Sequence, residues 1–177
     1  MSSGKKGILY FNVMKCLRFA LLSVLLFTVS SYAEGIKKPL AELLPILEPL
    51  KPDAIEIGSG ARDAYVFVDP KCFKSRDFLE TITSSATLPK MFHYYIFLYD
   101  MPQVDSIKVI NAVYDAPVPK EALLHYMLEH ERLSKMDSDT SRQTQEQIGR
   151  IRHAAEQIGI DRTPYLIVDK KGNKQAH

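Results

Sequence analysis

Tyr65-Val66-Phe67-Val68-Asp69-Pro70-Lys71-Cys72-Phe73-Lys74-Ser75 is the stretch on which the fold turns. Four β-forming residues in a row suit a strand covered on both faces. Asp69-Pro70 ends it, because proline cannot continue a hydrogen-bonded ladder. A helical run from Arg76 to Thr83 follows at once, so Cys72 falls at the mouth of a helix just beyond a buried strand. Much further along, Arg162-Thr163-Pro164 stands directly before a second apolar strand, Tyr165-Leu166-Ile167-Val168.

Working outward, Ile55-Glu56-Ile57 reads as a strand and Gly58-Ser59-Gly60 as the turn into the central one. Phe78, Leu79 and Ile82 give the helix over 73–85 an apolar face. His93 to Tyr99, rich in aromatics, is a second central strand and completes a βαβ unit. Pro119 to Leu133 is helical, with Leu123, Leu124, Met127 and Leu128 along one side. Ile148, Ile151, Ala155 and Ile158 mark another amphipathic helix, stopped by Gly159. Between these two, Asp137 to Gln147 is polar and mixes loop with an exposed helix start. Ahead of the strands, residues 34–54 carry Leu40, Leu43, Leu44 and Leu47 at helical spacing but are broken by Pro39, Pro45, Pro49 and Pro52. They predict a short, bent helix that packs on the domain or links it to something else.

The first 33 residues concern address. Lys5, Lys6, Lys15 and Arg18 precede a largely apolar run from Phe19 to Val29, and Ser31-Tyr32-Ala33 offers small residues for cleavage. That order is the pattern of a secretory signal peptide. The run falls short of the roughly twenty apolar residues of a membrane span; an uncleaved anchor is the alternative, and the sole route to membrane association. Removal of residues 1–33 leaves 19 basic against 21 acidic residues, a net charge of −2 in place of the full chain's +2. No basic surface for nucleic acid is implied. The remaining residues, 34–177, suffice for one domain with a core of its own.

Of the two cysteines, Cys16 lies ahead of the apolar run, and Cys72 alone survives in the mature chain. A disulfide-stapled exported domain would carry an even number. A single thiol means intermolecular chemistry, a free reactive group or an inert buried side chain. A helix N-terminus favours the reactive case, because its unpaired amides and dipole stabilise a thiolate. Lys71 and Lys74 flank the cysteine, and Arg162 joins them if the Thr-Pro loop faces it, so these three are candidates for lowering its pKa. Ser75, one helical turn on, stands where a resolving thiol would be and cannot act as one. An adduct on Cys72 then needs a thiol of the substrate or an external thiol for release. Thr163, Pro164 and Phe73 are the candidate substrate-binding residues, with a cis bond at Pro164 leaving the Thr163 backbone free to pair with an extended peptide. His125, Glu129 and His130 share a helix without a third convergent ligand, so no metal is expected. No cofactor is expected either, as phosphate loops and nucleotide fingerprints are absent.

These residues resemble the catalytic domain of the periplasmic disulfide isomerases of the thioredoxin-like superfamily. The match lies in Phe67 to Ser75, where that family has an Asp three residues before a Cys-x-x-Cys, and in Gly159-Ile160-Asp161-Arg162-Thr163-Pro164, where it has Gly-Thr-Pro after an apolar helix. The resemblance covers roughly residues 55–172. It implies an α/β, thioredoxin-like domain over 55–177, with a helical insertion between the second central strand and the cis-proline strand. It implies periplasmic thiol–disulfide exchange on exported cysteine-containing proteins or small thiols, with Cys72 as nucleophile. Ser75 in place of the second cysteine points to monothiol exchange or isomerase-like activity; the alternative is a redox-inactive peptide-binding or chaperone module using the Thr163-Pro164 groove. Arg162 replaces the usual glycine. The segment before the Cys72 strand is too short for the separate dimerisation domain of those isomerases. After the turn at Asp169 to Asn173 little chain remains, so the fold's last strand and helix are expected to be missing, leaving one sheet face to be covered by the 36–50 helix or by association.

Overall fold

The buried strand read at Tyr65 to Val68 lies at the centre of a four-stranded sheet, in a computed structural model that describes residues 38–130, 133 and 139–169. Strands β1 (Ile55–Ile57), β2 (Arg62–Val68), β3 (Phe92–Leu98) and β4 (Tyr165–Val168) are ordered β1-β3-β2-β4. β2 and β3 run parallel in the register Tyr65 to Tyr95 and Phe67 to Phe97, while β1 on β3 and β4 on β2 are antiparallel. Every residue from Ala64 to Val68 and from Tyr94 to Leu98 is buried, so both faces of the two central strands are covered. The Phe67 and Phe97 rings meet at 5.0 Å between centroids and the Tyr65 and Tyr95 rings stack at 5.4 Å. Leu166, on the edge strand β4, is an exposed apolar side chain of the described sheet.

Helix α1 (Leu40–Leu47) passes into a 3-10 turn (Glu48–Asp53), then β1. α2 (Phe73–Ser84) and the one-turn α3 (Leu88–Met91) make the β2-to-β3 crossover. Three helices occupy the interval between β3 and β4: α4 (Ile107–Tyr114), α5 (Pro119–Leu128) and α6 (Arg142–Ile158). The sequence reading left α4 unassigned. It buries Val109, Ile110 and Val113, an apolar face only two turns long. α5 ends at Leu128 and not at Leu133, because Glu129 closes the last turn on the His125 carbonyl and His130 turns left-handed at φ +59°. Ser141 caps α6 by accepting the Thr144 N–H on its hydroxyl, and Gly159, at φ +85°, ends it.

The Pro-interrupted segment at residues 38–53 is strapped onto the domain. Pro45 removes one ladder bond and the next turn tightens into the 3-10 geometry, yet Leu43, Leu47 and Leu50 are buried in the common core. The Asp53 carboxylate forks onto the Arg150 guanidinium at 2.7 and 2.8 Å, and Gln147 donates to the Asp53 carbonyl at 3.0 Å, fixing the strap to α6. Glu48 accepts from the buried Tyr65 hydroxyl and pairs with Lys51 at 2.7 Å; Lys51 reaches on to Asp63 at 2.8 Å. The Lys51 ammonium also lies 4.9 Å from the Tyr95 ring centroid. Residues 1–33, read as a signal peptide, and the turn read at Asp169 to Asn173, apart from Asp169 itself, lie outside the described residues.

Candidate functional site

β2 stops at Asp69-Pro70, and the chain turns so that the Cys72 N–H donates to the Asp69 carbonyl at 3.0 Å. Cys72 is thereby the N-cap of α2, in extended conformation, with α2 beginning at Phe73. A cap side chain meets the unpaired amides of the helix's first turn. Here that side chain is a thiol. It is partly exposed and free, and its S–H donates to the Thr163 carbonyl at 3.5 Å. The Thr163–Pro164 bond is cis. The two sequence markers, at the start of α2 and before β4, thus converge on one sulfur.

Burial pushes the Cys72 thiol up, but the hydrogen bonds outweigh it and the pKa lies below the ordinary value. The largest contributors are the Ser75 N–H, the Thr163 side chain, the Ser75 hydroxyl and the Lys74 N–H. The three basic side chains expected to lower the pKa direct their charges elsewhere. Arg162 forks onto its neighbour Asp161 at 2.9 and 3.0 Å and is 75% exposed. Lys71 donates to the Asp105 carbonyl at 2.6 Å, and the Lys74 ammonium sits 6.0 Å from the Phe73 ring centroid. Lys74 contributes through its backbone. Exposed charges are screened within about 8 Å at physiological salt, so Lys74→Glu combined with Arg162→Glu should leave the Cys72 alkylation rate at pH 7 within about twofold of the parent. A rate loss of tenfold, measured with iodoacetamide, would restore side-chain charge as the cause.

Ser75 is fully buried behind the sulfur, and its hydroxyl accepts the Asp69 N–H at 3.3 Å. That bond takes one lone pair of the hydroxyl and leaves its proton available to another acceptor. Phe73 is 64% exposed at the mouth of the site and Leu166, two residues beyond the cis-proline, is 47% exposed. Thr163 is buried and presents its backbone to Cys72. Asp69, which the sequence reading placed only within a motif, is completely buried beneath the turn, with Ser106 beside it. Among the described residues no group of three or more His, Cys, Asp or Glu side chains is arranged to hold a metal ion.

No protein-family model matches the sequence, and no curated protein matches it. Solved structures do match. The chain is similar to DsbG of Helicobacter pylori, with a TM-score of 0.56 at 15% identity, over 96% of this chain and 74% of that one. It is similar to a disulfide interchange protein from Neisseria gonorrhoeae, at 0.53 and 17% identity, over 66% and 80% of the two chains. The catalytic domain of Proteus mirabilis ScsC matches at 0.51 and 14%, over 72% of this chain and 85% of the domain. On these matches the chain has the thioredoxin-like fold, resembling the catalytic domains of disulfide interchange proteins.

Proposed function

We propose that the chain is an exported, periplasmic protein that performs monothiol disulfide exchange through Cys72. The observation that carries this reading is the sulfur's place at the cap of α2, where the Ser75 and Lys74 amides lower its pKa while it stays partly open to solvent. The Cys72 thiolate attacks one sulfur of a substrate disulfide, a bond forms between the two, and the other substrate sulfur leaves as thiolate. A thiol of the same substrate or an external small thiol then attacks the mixed disulfide and returns the Cys72 thiolate. When the substrate's own thiols close the cycle, the net result is isomerisation, with no change in redox state. Thr163, Pro164 and Phe73 receive the substrate chain, and Ser75, having no thiol, does not compete for release. The basic stretch and apolar run before residue 34 support export, and exported cysteine-containing proteins or small thiols are the partners.

Iodoacetamide labelling against pH, read by mass spectrometry on the Cys72 peptide, tests the chemistry. Half-maximal labelling is expected below the free-cysteine value near 8.5. In Cys72→Ser, mixed disulfides with a scrambled disulfide substrate should disappear. Absence of reaction until the protein unfolds would remove the exchange reading and favour a peptide-binding module that uses the exposed Phe73 and Leu166.

A further inference from the structure

Asp69 is the one fully buried carboxylate at the site, and the exchange chemistry above leaves it without a task. It is nevertheless the most heavily bonded residue of the Cys72 turn. Oδ1 accepts the Lys71 N–H at 2.8 Å and the Ser106 hydroxyl at 2.5 Å, and Oδ2 accepts the Met101 N–H at 3.0 Å. Its backbone N–H donates to the Ser75 hydroxyl and its carbonyl accepts from the Cys72 N–H. Ser106 is equally buried, its own N–H held by Asp100 at 2.7 Å. Lys71 adds an outer clasp on the carbonyl of Asp105, which adopts the left-handed φ of +51°. The loop after β3 is therefore fastened to the Cys72 turn through the Asp69 carboxylate, with Lys71 as a second, outer tie.

We propose that Asp69 and Ser106 are positioning residues for Cys72: the buried carboxylate locks the 69–72 turn so that the α2 amides aim at the sulfur, and the Ser106 hydroxyl holds that carboxylate in place. This deepens the exchange reading and rests on it. Hydrogen bonds to a thiolate weaken steeply with misalignment, and the Asp69 carboxylate is the buried anchor that ties this turn to the loop after β3. The Ser106 hydroxyl also offsets the carboxylate's charge, which would otherwise oppose a thiolate nearby. Loosening the turn and unmasking the charge act in the same direction, against the thiolate. The charged and titratable groups around the site are Lys71, Lys74 and Arg76 on the turn and α2, Asp161 and Arg162 in the Thr-Pro loop, Asp100 and Asp105 after β3, and Tyr126 on α5, which feels both Arg76 and Asp69. Ser106→Ala alters none of these groups, so a shifted Cys72 titration reports on the Asp69 arrangement.

The experiment labels the full chain with iodoacetamide from pH 5 to 9, following the Cys72 peptide, and records the thermal midpoint separately. Ser106→Ala is expected to raise the half-labelling pH by about half a unit or more, with a roughly threefold or greater loss of rate at pH 6. Ser106→Thr, which keeps the hydroxyl, should recover the parent profile within about twofold. Should Ser106→Ala fail to fold, Asp100→Ala decides: removing a negative charge would by itself lower the half-labelling pH, so a rise reports the loosened Ser106. A lower thermal midpoint with an unmoved labelling profile, or a fall in Asp100→Ala, overturns the proposal and leaves Asp69 a purely structural residue. A parent that labels only when unfolded sinks the exchange reading and this one together; a reactive parent with an unresponsive Ser106→Ala sinks this one alone.

Discussion

Ser75→Cys is expected to convert a chain that depends on a substrate or external thiol to clear its mixed disulfides into one that clears them itself. Positions three apart in a first helical turn hold their Cβ atoms about 5–6 Å apart, against about 3.5–4.5 Å in a disulfide. Cys72 caps α2 and Ser75 is buried on its first turn, so a modest adjustment of the helix start is enough to close the bond. The new thiol then attacks the Cys72 mixed disulfide from within, releases substrate thiol and leaves an intramolecular disulfide that dithiothreitol can reduce. The exchange has a cost. Sulfur is a weak acceptor, so the Asp69 N–H loses the partner it has in Ser75, at about 1 kcal/mol in the reduced form. Release of substrate from the mixed disulfide without added thiol by the variant, against adducts in the parent that persist until dithiothreitol is added, is the readout. Two thiols that titrate independently and never close would show that the first turn of α2 is not where Cys72 sits.

Gly60→Ala is expected to be the most destabilising small substitution in the domain. The Gly60 N–H donates to the Phe92 carbonyl at 3.1 Å, and a Cβ added at Gly60 would stand 2.1 Å from both the Met91 carbonyl carbon and the Phe92 nitrogen. Both obstacles are backbone. They belong to the junction of α3 and β3, where the neighbouring Ser59 N–H also bonds the Pro89 carbonyl at 2.9 Å. Neither can yield by changing a rotamer, so the β1–β2 turn or the start of β3 must move. A loss of about 3 kcal/mol or more follows, lowering the urea midpoint by roughly 1–3 M at ordinary m-values. The folded fraction should keep its Cys72 labelling profile, since β2 separates this turn from the sulfur by roughly 20 Å. An unmoved midpoint would mean that Gly60 and Met91 are not in contact.

The sequence made the strand, the stop and the helix around Cys72 legible because each is written locally: an unbroken apolar run, an Asp-Pro, then a helical pattern. Gly159 was legible as the end of α6 for the same reason. α4 went unread because its apolar face is only two turns long and follows a loop with a left-handed Asp105, a conformation that an Asp tolerates but does not announce. The site itself was half legible. That Cys72 and Thr163 belong together came from the pairing of two motifs. Side-chain direction did not: Arg162 was expected at the sulfur, yet a carboxylate on the adjacent residue captures its guanidinium. Nor did Ser106 carry any mark of its bond to Asp69, which spans 37 positions and depends on two loops arriving together.

The strap has a consequence in time. Arg150 and Asp53 are 97 positions apart, and Gln147 reaches the same residue across 94. Leu43, Leu47 and Leu50 are therefore made well before the helix that fastens their segment. Contacts of such long range are slow to close, and a chain emerging vectorially cannot complete them early. For as long as α6 has not emerged, whether from a ribosome or a translocation pore, the first leucines of the domain remain uncovered. The core around these leucines closes only when α6 is free to clasp the strap.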